Sequence, residues 1–243
     1  MTTLERLEAE PVLETVRRLE GRIAARFPER GLRRVAGELV ELTEDVGRDA
    51  AGIQGRIRMV RMLSRVGIAI VLAATVSAVV LAARTAVDEG AGEGLDWLFL
   101  LESSINDLAY AAIALYFLYT VPERIQRGHT LELLHRLRSL AHIVDMHQLT
   151  KDPERLLTPE KSTPSSPART FTAFELARYL DYCSEMLSVI SKAAALYVQN
   201  FDDPVTLAAV NDVEQLTGSL SQKLWLKIDI LERMSRAPAG ALA

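Results

Sequence analysis

The sequence predicts an all-α fold: a two-crossing transmembrane helical hairpin that continues into a cytoplasmic helical bundle. Three observations carry that expectation. The apolar residues are concentrated in two long runs, which is how a chain that is 25 % charged reaches a positive mean hydropathy. Basic residues gather on the outer flanks of those runs and acids between them. Elsewhere the apolar positions repeat at helical spacing, with no strand-like alternation and no Asn-Gly hairpin signal.

Residues 1–62 read as N-terminal cytoplasmic amphipathic helices. The clearest stripe is Leu32, Val35, Leu39, Leu42 and Val46, spaced 3,4,3,4 on one helix face. The Phe27-Pro28 step before it ends the preceding helix, because a residue before proline avoids the helical region. A further helix bearing Ile53, Ile57 and Val60 leads into the first apolar run.

The transmembrane hairpin is expected over 63–121, with crossings at about 66–86 and 97–121 and an acidic loop outside. Val66 to Ala83 is eighteen residues without a charge. At a rise of ~1.5 Å per residue it spans about 27 Å, close to the ~30 Å hydrocarbon core of a bilayer, and no face of it is polar. In the second run, Leu108 to Val121 is uncharged, while Glu102 and Asp107 interrupt the first half. Arg56, Arg58, Arg61 and Arg65 precede the first run; Arg124, Arg127, Arg136 and Arg138 follow the second. The connection holds Arg84 against Asp88, Glu89, Glu93 and Asp96, a net charge of −3. Positive flanks around an acidic loop place both termini in the cytoplasm of a multi-pass inner (cell) membrane protein. Trp97, Tyr110, Tyr116 and Tyr119 suit the interface. The charged N-terminus gives no signal-peptide pattern.

Residues 122–150 form a cytoplasmic helix carrying all four histidines, His129, His135, His142 and His147. On it Glu132, His135, Arg138, His142 and Asp145 share one arc, and Leu133, Leu134, Leu137, Leu140 and Val144 the other. Segment 151–171 has four prolines and reads as a flexible loop. A C-terminal helical hairpin fills 172–243. It opens with a capping box at Thr172 and Glu175 and continues as a seam of Leu176, Leu180, Cys183, Leu187, Ile190, Ala194, Tyr197 and Phe201, long enough for bundle or coiled-coil packing. Asp203-Pro204 starts the last helix as N-cap and first-turn proline. That helix carries Val213, Leu216, Leu220, Leu224, Ile228, Leu231 and Met234.

Candidate functional groups are few. Glu102, Asn106 and Asp107 form an intramembrane polar patch with Ser103. Counted back from Val121, Asp107 lies about 21 Å along the crossing and Glu102 about 28 Å. In an oligomer such groups line a pore; alternatively the crossing starts near Ser104 and they sit in the interface. Arg56, Arg58, Arg61 and Arg65 serve topology and lipid headgroups. His135 and His142 are about 10 Å apart along the helix, too far to share a metal without ligands from another helix. His142 and Asp145 are one turn apart. These three are the only metal candidates, against the simpler reading of a polar seam, and no metal or other cofactor is expected. Ala69, Ala73 and Ser77, and Ala74, Ala78 and Ala82, recur every four residues and allow close helix contact, including self-association.

The exclusions are firmer. A single cysteine forms no internal disulfide and no CxxC zinc site, and Cys183 reads as a small buried apolar residue. A net charge of −4 argues against a nucleic-acid partner. No P-loop, dinucleotide turn, GxSxG or HExxH occurs, so no enzyme is expected. The expected partners are the lipid bilayer, further copies of the chain and an unidentified cytoplasmic protein. The function expected is a non-enzymatic membrane protein with a helical interaction or regulatory module; the alternative is an oligomeric pore or ion-handling effector gated by those helices.

Overall fold

The structure, a computed structural model, describes residues 7–88, 96–153, 171–198 and 203–236. All regular structure among them is helix: α1 Ala9–Arg26, α2 Gly31–Asp88, α3 Asp96–Leu149, α4 Ala173–Val198 and α5 Pro204–Arg236. The middle of the acidic connection, the Pro/Ser-rich stretch 154–170, Phe201 and the side chains of Arg56, Trp97, Tyr197 and Met234 lie outside the described residues.

By contacts the chain divides into two units, 1–51 with 129–243 and 52–128. The first has one hydrophobic core. Val12, Val16, Leu19 and Ile23 supply the α1 stripe, and Leu32, Val35, Leu39, Leu42 and Val46 that of α2. Leu133, Leu134, Leu137, Leu140 and Val144 enter from α3, and Val213, Leu220, Leu224, Ile228 and Leu231 from α5. Helix α4 contributes on nearly every face, from Leu176 through Tyr179, Cys183, Met186 and Ile190 to Leu196. A helix apolar most of the way round is the one that others surround.

Local chemistry sets the ends. Pro28 stops α1, whose last i→i−4 hydrogen bond runs from the Phe27 N–H to the Ile23 carbonyl at 2.7 Å. At α4 the Thr172 amide donates to Glu175 Oε2 at 2.8 Å and the Glu175 amide to Thr172 Oγ1 at 3.2 Å, the reciprocal capping box. At α5 the Thr206 amide donates to Asp203 Oδ2 at 2.9 Å. Ion pairs join the helices at the rim: Arg17–Glu44, Arg22–Glu185, Arg136–Asp45 and Arg138–Asp212. All are largely solvated, and such pairs contribute about 0–1 kcal/mol each.

The second unit is built the other way out. Its parts of α2 and α3 contain two stretches long and apolar enough to cross a membrane, beginning at Arg58 and Glu102, and neither is buried within the protein. Leu63 is 70 % exposed and Tyr119 67 %. The two helices meet closely at Gly67, where a β-carbon would stand 3.2 Å from the Leu118 methyls. Helix α3 runs through Pro122 without a break.

The contrast predicts opposite responses to truncation. In the detergent-solubilised protein, Leu187→Ala, at a fully buried position, lowers unfolding stability by about 2–5 kcal/mol. Trp225→Ala, 59 % exposed, stays within about 0.5 kcal/mol. Urea unfolding followed by circular dichroism reads both.

Candidate functional site

Arg58, Arg61 and Arg65 project from α2 and are exposed. Of the basic residues after the second apolar run, Arg136 and Arg138 are ion-paired in the helical core unit, and Arg124 and Arg127 are exposed beside that run. Glu102, Asn106 and Asp107 are all exposed on α3. Among the described residues none of the three makes a hydrogen bond or ion pair.

His135 and His142 are exposed on α3. Asp145 is committed elsewhere, accepting a 2.6 Å hydrogen bond from Gln148 Nε2. Among the described residues no three His, Cys, Asp or Glu side chains are grouped as a metal ion would need.

What the structure gathers instead is a polar knot at the C-terminal end of α3. Lys227 of α5 donates to Gln148 Oε1 at 2.6 Å, to the Gln148 carbonyl at 3.2 Å and to the Lys151 carbonyl at 3.5 Å. The last carbonyls of a helix lack intrahelical partners and carry partial negative charge, so a lysine aimed at them is favoured. Burial lowers the Lys227 pKa; Asp152 and Asp145 oppose that shift. Burial also lowers that of Lys151, and Arg30 adds to it. Cys183, fully buried nearby, has its thiol pushed up to about 12 by desolvation and is inert at neutral pH.

Beside the knot lies an aromatic cluster. Phe27, Phe171, Tyr179 and Tyr182 meet edge to face, with ring centroids 5.3–6.2 Å apart. Burial raises the Tyr179 pKa. Cations cover its margin: Arg30 over Phe171 at 4.5 Å, Lys151 over Phe171 at 5.3 Å and Tyr179 at 5.8 Å, Arg26 over Phe174 at 5.4 Å, and Arg22 and Arg178 over Tyr182. Sequence reading missed this cluster. The available signal was an aromatic residue at each break in the helical pattern, Phe27 before Pro28 and Phe171 before the Thr172 cap.

The class these features define is an all-helical chain with two helices long and apolar enough to span a membrane. No protein family, curated protein or solved structure matches it.

The histidine beside the knot gives a pH prediction. The His147 ring sits where a β-carbon on Gly31 would be, 2.5 Å from its Cε1. Its pKa is lowered from the ordinary 6.5, first by burial and then by the charges of Lys151 and Arg34. The folded state therefore binds fewer protons here than the unfolded state, and stability falls as pH drops through the unfolded value. The loss levels off below the folded pKa. Thermal melts between pH 7.5 and 5 should show this decline, and His147→Gln should flatten it. Glu175, whose pKa the capping box lowers from 4.5, loses its contribution only at more acid pH, so the two effects separate.

Proposed function

We propose that this is a two-pass inner-membrane protein whose hairpin anchors a cytoplasmic helical bundle, and that the bundle is a non-enzymatic interaction or regulatory module. One observation carries the reading: large apolar side chains are buried around a single core in one unit and exposed along both apolar runs of the other. A surface of that kind along some 27 residues from Arg58 to Arg84 matches a bilayer in length and chemistry. The exposed Arg58, Arg61 and Arg65 suit the headgroup level on the cytoplasmic side.

Because Cys183 is buried and protonated at neutral pH, single introduced cysteines report topology against a quiet background. Ala91→Cys, between the crossings, reacts with a membrane-impermeant maleimide in intact spheroplasts. Ser219→Cys, exposed on α5, reacts only after permeabilisation. Release of the protein from membranes by alkaline carbonate, or the same labelling at both positions, overturns the reading.

The unpartnered Glu102, Asn106 and Asp107 favour a second reading, in which copies associate through this face and admit ions. Proteoliposomes then show an ion flux that Asp107→Asn reduces several-fold, whereas no flux, or a flux the substitution leaves alone, retires the pore.

A further inference from the structure

Helix α1 is fastened differently at its two ends. Its C-terminal end is anchored, with Phe27 buried among Phe171, Tyr179 and Tyr182. The turn that follows is closed by the Arg30 and Arg33 amides, which donate to the Phe27 and Arg30 carbonyls at 3.2 and 3.1 Å. The N-terminal end has no such anchor. Glu8 stands at the N-cap position without a side-chain hydrogen bond to the free amides of the first turn. A cleft of about 390 Å³ opens beside it between α1 and α2, lined by Glu10, Leu13, Arg17, Gly47 and Arg48 among others, and Leu13 is only partly buried.

The middle of the helix is weakened as well. Gly21 is exposed, and a β-carbon there would meet nothing within 4 Å. Glycine is the least favourable helix residue after proline, and no packing at this position requires it. Helix α1 buries one stripe, Val12, Val16, Leu19 and Ile23, and it packs against α4.

The rest of its attachment is charge. Among the described residues, the side-chain hydrogen bonds from α1 to other helices are Arg17–Glu44, at 2.8 Å, and Arg22–Glu185. The first belongs to a chain of alternating charge. Glu44 also faces Arg48 at 3.9 Å, Arg48 meets Asp45 at 3.1 Å, and Asp45 meets Arg136 of α3 at 3.3 Å. Such pairs are a small part of the stability of a whole unit, but a large part of the smaller free energy that holds down a single weakly fastened helix. Being solvated, they are also screened by salt, over about 10 Å at 0.1 M and about 3 Å at 1 M.

We propose that α1 is a strap on the core unit. Hinged at Phe27 and Pro28, it lifts from α4 at its N-terminal end while the rest of the unit stays folded, and the charge chain through Arg17 and Glu44 sets how often it does so. Lifting uncovers the apolar surface of α4 that the α1 stripe covers. The strap belongs to the core unit and stands however the hairpin crosses a bilayer.

The test is hydrogen–deuterium exchange, read by mass spectrometry on the full-length protein in a neutral detergent at neutral pH. At low salt, peptides covering residues 9–20 exchange about tenfold faster than those of α4 and α5. Raising the salt to about 1 M accelerates them about threefold further. Arg17→Gln reproduces that acceleration at low salt and removes most of the response to salt, whereas Arg17→Lys keeps the original behaviour. Gly21→Ala, which strengthens the helix without touching the charges, slows exchange in this segment about fivefold. Arg233→Gln, whose partner Asp229 lies on the same helix, α5, leaves α1 unchanged. Exchange of residues 9–20 in step with α4 and α5 means one cooperative unit and overturns the proposal. So does a fast-exchanging α1 that responds neither to salt nor to Arg17→Gln.

Discussion

Everything in this chain depends on how two helices dispose of apolar surface in two different ways. Large apolar side chains from Met59 to Leu81 on α2 and from Ile105 to Ile125 on α3 stand exposed; elsewhere on the same helices the stripes Leu32 to Val46 and Leu133 to Val144 are buried. Full burial of such a side chain is favourable by about 1.5–3 kcal/mol. Leaving more than a dozen of them in water would forgo tens of kcal/mol, against the 5–15 kcal/mol that typically separates a folded domain from its unfolded state. The surface therefore needs a cover. Helices are suited to an apolar cover because each satisfies its own backbone hydrogen bonds.

The other unit shows the reverse economy. Helix α4, apolar on nearly every face, is wrapped by segments that need to bury only one stripe each. Several polar groups that enter this interior are answered locally, while the buried Thr130 hydroxyl has no hydrogen-bond partner among the described residues. Thr43 and Thr217 return their hydroxyls to carbonyls one turn back, and Lys227 closes the last carbonyls of α3. The rim ion pairs add direction rather than much stability. Removing an ion pair at the surface and removing a methyl group at Leu187 are accordingly perturbations of different size.

How much of this was legible in the sequence follows from the range of each interaction. Stripes are local: Leu32, Val35, Leu39, Leu42 and Val46 share a face by spacing alone, and all are buried. Caps are local too, and Thr172–Glu175 and Asp203–Thr206 bond as the residue types require. The aromatic cluster could not be read in the same way. It joins Phe27 to Phe171, residues far apart in the chain, on a surface that exists only once α1 and α4 pack. Lys227 on a helix reads as a solvated charge until the end of α3 is placed beside it. Helix α3 continues through Pro122; a proline removes one backbone donor, and a long helix absorbs that loss. For the metal candidates, the arc of His135 and His142 was legible, while the engagement of Asp145 by Gln148 was not.

The same reasoning constrains the polar patch of α3. The uncharged run of α2 holds two hydroxyl groups, Thr75 and Ser77. Thr75 gives its proton to the carbonyl of Val71, one turn back on its own helix. The close approach in this unit is between Gly67 and Leu118, an apolar contact toward the opposite end of both apolar runs. Neither side chain answers Glu102, Asn106 or Asp107, and no other described group does. Ionisable groups at depth in a bilayer are costly unless water or a partner reaches them. In a bilayer, whatever satisfies these three residues comes from outside the described residues, for example interfacial water where the crossing starts late or the same face of another copy. The exposed small residues Ala69, Ala73 and Ser77 would let such a copy approach closely without displacing the Gly67–Leu118 contact.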